Sequence, residues 1–82
     1  MMEVSGTIEN IKRFCSKWGH VEEARVKIST QSHGFITVIV SEEKYKKVRR
    51  LLQCKYSISV KGRFSSVLGY HTIKAQEIKR LP

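Results

Sequence analysis

The feature that most constrains this chain is a period-two alternation of apolar and polar residues that returns in five segments, with a single helical segment among them. Such alternation marks a strand with one face buried and the other free. Val4, Gly6 and Ile8 alternate with Ser5, Thr7 and Glu9, which predicts a first strand over Glu3–Phe14. Cys15-Ser16-Lys17-Trp18-Gly19-His20 breaks the pattern and reads as a loop. A second strand is expected over Glu23–Thr30, with Ala24, Val26 and Ile28 on one face and Arg25, Lys27 and Ser29 on the other. Gln31-Ser32-His33-Gly34 then forms a hairpin connection to a β-branched third strand, Phe35–Val40. That strand is apolar on both faces: Ile36, Val38 and Val40 on one, Phe35, Thr37 and Ile39 on the other. Its second face must be either covered or used.

Ser41-Glu42-Glu43 starts the helix, because serine caps free amides and glutamates favour the positive end of the helix dipole. Tyr45, Val48, Leu51 and Leu52 fall on one side at helical spacing, and Lys44, Lys46, Lys47, Arg49 and Arg50 occupy the rest. Cys54-Lys55 ends it. Tyr56, Ile58, Val60, Gly62 and Phe64 alternate with Ser57, Ser59, Lys61 and Arg63 in a fourth strand. After a turn at Ser65-Ser66-Val67-Leu68-Gly69, a fifth strand runs from Tyr70 to Ile78, with Ile73 and Ala75 inward. There the phase slips, so that Ile78 and Leu81 close the end.

With 82 residues, no linker, no internal repeat and Pro82 as its one proline, the chain is expected to form one domain over residues 1–82 around one core. Three strands, a helix and two strands predict an all-β, five-stranded Greek-key barrel with the helix between strands three and four. Closing so small a sheet demands sharp coiling, for which Gly6 and Gly62 are placed; the alternative is that they are ordinary turn or bulge glycines.

Composition narrows the function. Sixteen Lys and Arg against seven Asp and Glu give a net charge of +9, which points to a polyanionic partner; the alternative is an excess of lysine that serves solubility. Cys15 and Cys54 are expected as free thiols, too few for a disulfide scaffold and without metal-ligand spacing. No cofactor is expected. The sequence holds no nucleophile elbow, phosphate-cradling glycine loop or metal motif, so no enzymatic activity is expected. No apolar run is long enough to span a membrane and Met1-Met2-Glu3-Val4-Ser5-Gly6 does not open a secretory signal, so the expectation is a cytoplasmic protein.

Several segments together resemble the OB-fold nucleic-acid-binding superfamily, especially its anticodon-binding type, which also occurs as a module of bacterial replicative DNA polymerases. They are Val4-Ser5-Gly6-Thr7-Ile8, Gly34-Phe35-Ile36-Thr37-Val38-Ile39-Val40 leading into Ser41, Val60-Lys61-Gly62-Arg63 and Ile73-Lys74-Ala75-Gln76-Glu77-Ile78. One stretch departs: those modules usually carry an acidic residue and glycine in the second hairpin, where this chain has Ser29-Thr30-Gln31-Ser32-His33-Gly34. The resemblance implies a five-stranded OB barrel whose ligand lies across strands two and three, between the first loop and the loop joining strands four and five.

On that face Arg25 and Lys27 stand beside Phe35, Thr37 and Ile39, the mixture of charge and flat surface that single-stranded DNA or RNA requires. Lys17, Trp18 and His20 approach from the first loop, Tyr70 and His71 from the other side, and Lys61 and Arg63 are the cations of strand four. Alternatives stand beside these readings. Phe35 can serve a dimer contact or pack beneath a loop, Trp18 can plug the barrel mouth, and the basic helix face can be plain solvated surface. Tyr45, Tyr56 and Phe64 are expected in the core or at the barrel end. The rival function is an adaptor that docks on a larger replication, repair or translation protein through Phe35 and Ile39. Sugar binding leaves the charge unexplained.

Overall fold

The alternating residues become the inside of a closed barrel. In the computed structural model, which describes residues 2–65 and 71–82, the order is β1 (Met2–Cys15), β2 (Val21–Thr30), β3 (Gly34–Ser41), α1 (Glu42–Val48), β4 (Ser57–Phe64) and β5 (Thr72–Arg80). The strands join in the order β1-β2-β3-β5-β4, and β4 returns to β1. All neighbours are antiparallel except β3 and β5. Val4 and Ile8 of β1, Ala24, Val26 and Ile28 of β2, and Ile36, Val38 and Val40 of β3 meet Ile58, Val60, Ile73 and Ile78 in one buried cluster. This is the five-stranded barrel with a helix between its third and fourth strands that the alternation predicts.

Among the described residues three register slips shape it, the outermost at Glu22, where β1 and β2 part. Between Lys61/Glu77 and Gly62/Ala75 the β4–β5 register slips by one at Gln76, which is the expected change of phase that lets Ile73, Ala75 and Ile78 all face inward. A second slip, not anticipated, falls in β1: Ile8 pairs with Ile28 but Asn10 pairs with Lys27, which leaves Glu9 as a bulge. Both glycines expected to permit sharp coiling lie within strands, and both are sites of close backbone approach. A Cβ on Gly6 would meet the Ser29 carbonyl oxygen at 2.5 Å, and one on Gly62 would collide with the Lys74 carbonyl. Gly6 sits where β1 passes from pairing with β4 to pairing with β2.

The helix is shorter than its sequence pattern suggests. Ser41 caps it as expected, its hydroxyl accepting from the Lys44 amide at 3.4 Å, and Glu42 and Glu43 pair with Lys46 and Lys47 one turn on. The helix ends at Val48 because the chain tightens into three-residue turns: the Leu51 amide donates to Val48 and that of Leu52 to Arg49. These turns drive Leu52 into the core and leave Tyr45, Val48 and Leu51 packed against it. Lys55 then takes a left-handed conformation (φ 75°), and its amide donates to the Ile8 carbonyl at 2.8 Å, which ties the connection to β1 beside the bulge. Tyr56 is half-buried against the core, whereas Phe64, expected in the core or at the barrel end, stands 39% exposed at the end of β4 with His33 tilted towards it at 6.5 Å. Cys15 and Cys54 are both exposed free thiols. No helix among the described residues is long and apolar enough to cross a membrane.

Candidate functional site

The outward face of β1, β2 and β3 follows from register alone. Lys27 lies between Asn10 and Thr37, Arg25 between Lys12 and Ile39, and Phe35 stands opposite Ser29. Because the core takes Ala24, Val26, Ile28, Ile36, Val38 and Val40, these other residues must point out. Asn10, Lys12, Phe14, Arg25, Lys27 and Thr37 line a depression of about 350 Å³.

Two exposed rings on this face each carry a cation. The Lys27 ammonium lies 4.4 Å from the centroid of Phe35, and the Arg25 guanidinium lies 5.3 Å from that of Phe14. Phe35 is 57% exposed and Phe14 47%. Arg25 is also held by Glu23, Nε to Oε2 at 3.0 Å, on the same face of the same strand. This fixes the guanidinium between a carboxylate and a ring.

The first loop borders the face on one side, and the residue that leads into β5 borders it on the other. In the first, Ser16 organises the turn: its hydroxyl accepts from the amides of Trp18 and His20, and its carbonyl accepts from Gly19, whose φ of 84° suits glycine. Trp18 does not plug the barrel; it is 76% exposed, with the Lys17 ammonium 5.1 Å from its ring. His20 is exposed beside it. On the other side the carbonyl of His71 accepts from the Thr37 amide at 2.9 Å, which anchors that loop end to β3. Tyr70 lies outside the described residues.

The structure separates other expected site residues from this face. Ile39 has the outward phase but is only 8% exposed, so it offers little surface to any ligand or partner. Its register neighbours are Arg25 and Lys74, whose aliphatic stems are long enough to cover it. Lys61 belongs to the opposite wall, where β4 lies between β1 and β5, and its ammonium is 3.6 Å from Glu3. Close by, Glu77 pairs with Lys79 at 3.2 Å; that hydrogen bond and charge, helped by Lys61 and Lys44, hold its carboxyl below the usual carboxylate range against a small opposing effect of burial. This wall is charge-paired. Arg63 is exposed on β4, which pairs with β1 and β5 but with neither β2 nor β3.

Three members of the face were not among the expected site residues. Asn10, Lys12 and Phe14 come outward only because Glu9 bulges and reverses the phase of β1. The signal was present as the spacing of Ile8 and Ile11, which strict alternation cannot both place inside. The same reversal turns Arg13 towards the helix end, where its Nε donates to the Tyr45 hydroxyl at 2.8 Å.

Among the described residues no group of three or more His, Cys, Asp or Glu stands together to hold a metal. What the face offers is cations, exposed rings and a few neutral hydrogen-bonding groups. No protein-family model matches the chain, and no curated protein matches it.

Proposed function

We propose that this protein is an OB-type barrel that binds single-stranded nucleic acid, without catalysis, through the outward face of β1, β2 and β3 and the loops beside it. The observation that carries this reading is the pairing of each exposed ring on that face with a cation, Lys27 on Phe35 and Arg25 on Phe14. Phosphates need the cations and unstacked bases need the rings. The energies favour exchange. An exposed cation–π contact contributes about 0.5–1 kcal/mol, whereas a base stacked on an aromatic ring contributes about 1–3 kcal/mol. A base can therefore take the ring while the released cation turns to the adjacent phosphate.

The barrel order and the net charge of +9 support the same reading. Titrating the protein into labelled single-stranded oligonucleotide and into duplex of the same sequence tests it: the single strand binds more tightly, because only its bases are free to stack. Equal affinity for both reduces the face to a general polyanion surface. The adaptor reading retains Phe35 and gains Phe14 but loses Ile39 as a contact. It requires that alanine at either ring leave oligonucleotide binding unchanged.

A further inference from the structure

The register places one row of residues around the whole barrel. Lys12 of β1 pairs with Arg25 of β2, Arg25 with Ile39 of β3, Ile39 with Lys74 of β5, and Lys74 with Arg63 of β4. Four of the five are exposed cations. Lys12, Lys74 and Arg63 form no ion pair among the described residues, whereas Lys61 and Lys79 on the other wall are matched to Glu3 and Glu77. Arg25, the fourth, is paired with Glu23, so this belt across the strands carries three cations free of ion pairs among the described residues.

We infer that the bound strand does not stop at β3 but continues over the parallel β3–β5 seam onto β5 and β4, with Lys74 and Arg63 as further phosphate contacts. This rests on the single-strand reading of the β1–β3 face. Neighbouring strands are about 4.8 Å apart, so the belt from Lys12 to Arg63 spans roughly 19 Å of arc and the part on β1–β3 about half of that. Ile39 at the middle is only 8% exposed, so the charged side chains of Arg25 and Lys74 are the belt's exposed groups on either side of it. Arg63 and Lys74 also flank the approach to the loop that joins β4 to β5, and the Ser65 amide donates to the Thr72 carbonyl at its base.

The two halves of the belt separate by ligand length. A strand of about 2 nucleotides, at roughly 6 Å per extended step, has room for the β1–β3 half only, whereas one of about 12, within the range of site sizes known for such barrels, can follow the whole belt. The double variant Lys74→Ala/Arg63→Ala is expected to bind the short strand like the wild type. It should bind the long strand roughly ten- to thirtyfold more weakly at about 0.1 M salt, with a log–log salt slope shallower by about 1.4, the effect of two lost phosphate contacts. Lys61→Ala/Lys79→Ala removes the same formal charge from the paired wall and is the control; it should leave both affinities close to wild type. Circular dichroism confirms that each exposed double variant is folded. Equal losses for short and long strands, or equal losses for the two double variants, overturn the belt. If the wild type binds neither strand, the reading of the β1–β3 face falls with it. If Phe35→Ala weakens both lengths while Lys74→Ala/Arg63→Ala changes neither, the belt alone falls.

Discussion

The Lys27 ammonium lies 4.4 Å from the centre of the Phe35 ring, diagonally across the β2–β3 pairing and two positions off direct register. The two side chains therefore share a surface that a base and a phosphate would divide between them. Alanine at Phe35 removes the stacking surface, worth about 1–3 kcal/mol, and weakens single-strand binding roughly five- to 150-fold. Its salt slope stays at the wild-type value. Alanine at Lys27 reduces that slope by about 0.7 instead. Fluorescence titrations at several salt concentrations distinguish the two, and a melting curve shows Phe35→Ala folded, since the ring is 57% exposed. Loss of folding in that variant would place Phe35 in the core.

Phe14 and Phe35 stand on β1 and β3, with β2 between them, and each has its own cation. Two bases stacked on separate rings contribute nearly independently. The losses from Phe14→Ala and Phe35→Ala should multiply in the double variant, which an affinity cycle over the four proteins measures. A double variant no weaker than either single one contradicts two separate stacking positions.

Gly62 lies in the β4–β5 pairing next to the extra residue Gln76, and its Cα faces the Lys74 carbonyl too closely for a side chain. Backbone cannot swing aside as a flexible side chain can. Gly62→Ala should destabilise the barrel by about 1–3 kcal/mol, the usual range for overpacking, which urea or thermal unfolding would show as a lower midpoint. An unchanged midpoint means that the barrel closes with more room at this position.

Cys15 and Cys54 are both exposed and unpaired. A thiol reagent should therefore modify two sites per folded chain, and adding reductant should leave the melting temperature where it is. Protection of both thiols until reductant is added would reveal a disulfide.

The inward phases of β2 and β4 were legible in the sequence because alternation there is unbroken, whereas β3 is apolar on both faces and its phase rested on the β-branched row Ile36, Val38 and Val40. The slip in β5 was legible too, since Ala75 and Ile78 cannot share a face without an extra residue. The equivalent slip in β1 was harder to see. Glu9 and Asn10 are both polar, so the pattern around them fits either phase, and the outward turn of Lys12 and Phe14 depends on which of the two bulges. The helix was overextended because Leu51 and Leu52 continue the apolar spacing, although tighter turns deliver them to the core equally well. Ile39 has the expected phase but is only 8% exposed, and burial on an outer face depends on residues from other strands, which alternation within β3 does not reveal. Lys61 is neutralised by Glu3, 58 positions earlier in the numbering, a partnership created only when β1 pairs with β4.

The most direct measurement is the affinity for a single-stranded oligonucleotide as a function of salt. Lys12, Lys17, Arg25 and Lys27 border the face, and three to five phosphate contacts predict that log affinity falls against log salt with a slope of roughly −2 to −3.5. Stacking on Phe14 and Phe35 predicts in addition that measurable single-strand binding persists where duplex binding has vanished at high salt. A flat salt response, or single-strand and duplex curves that coincide at every salt concentration, contradicts a face built for single-stranded nucleic acid.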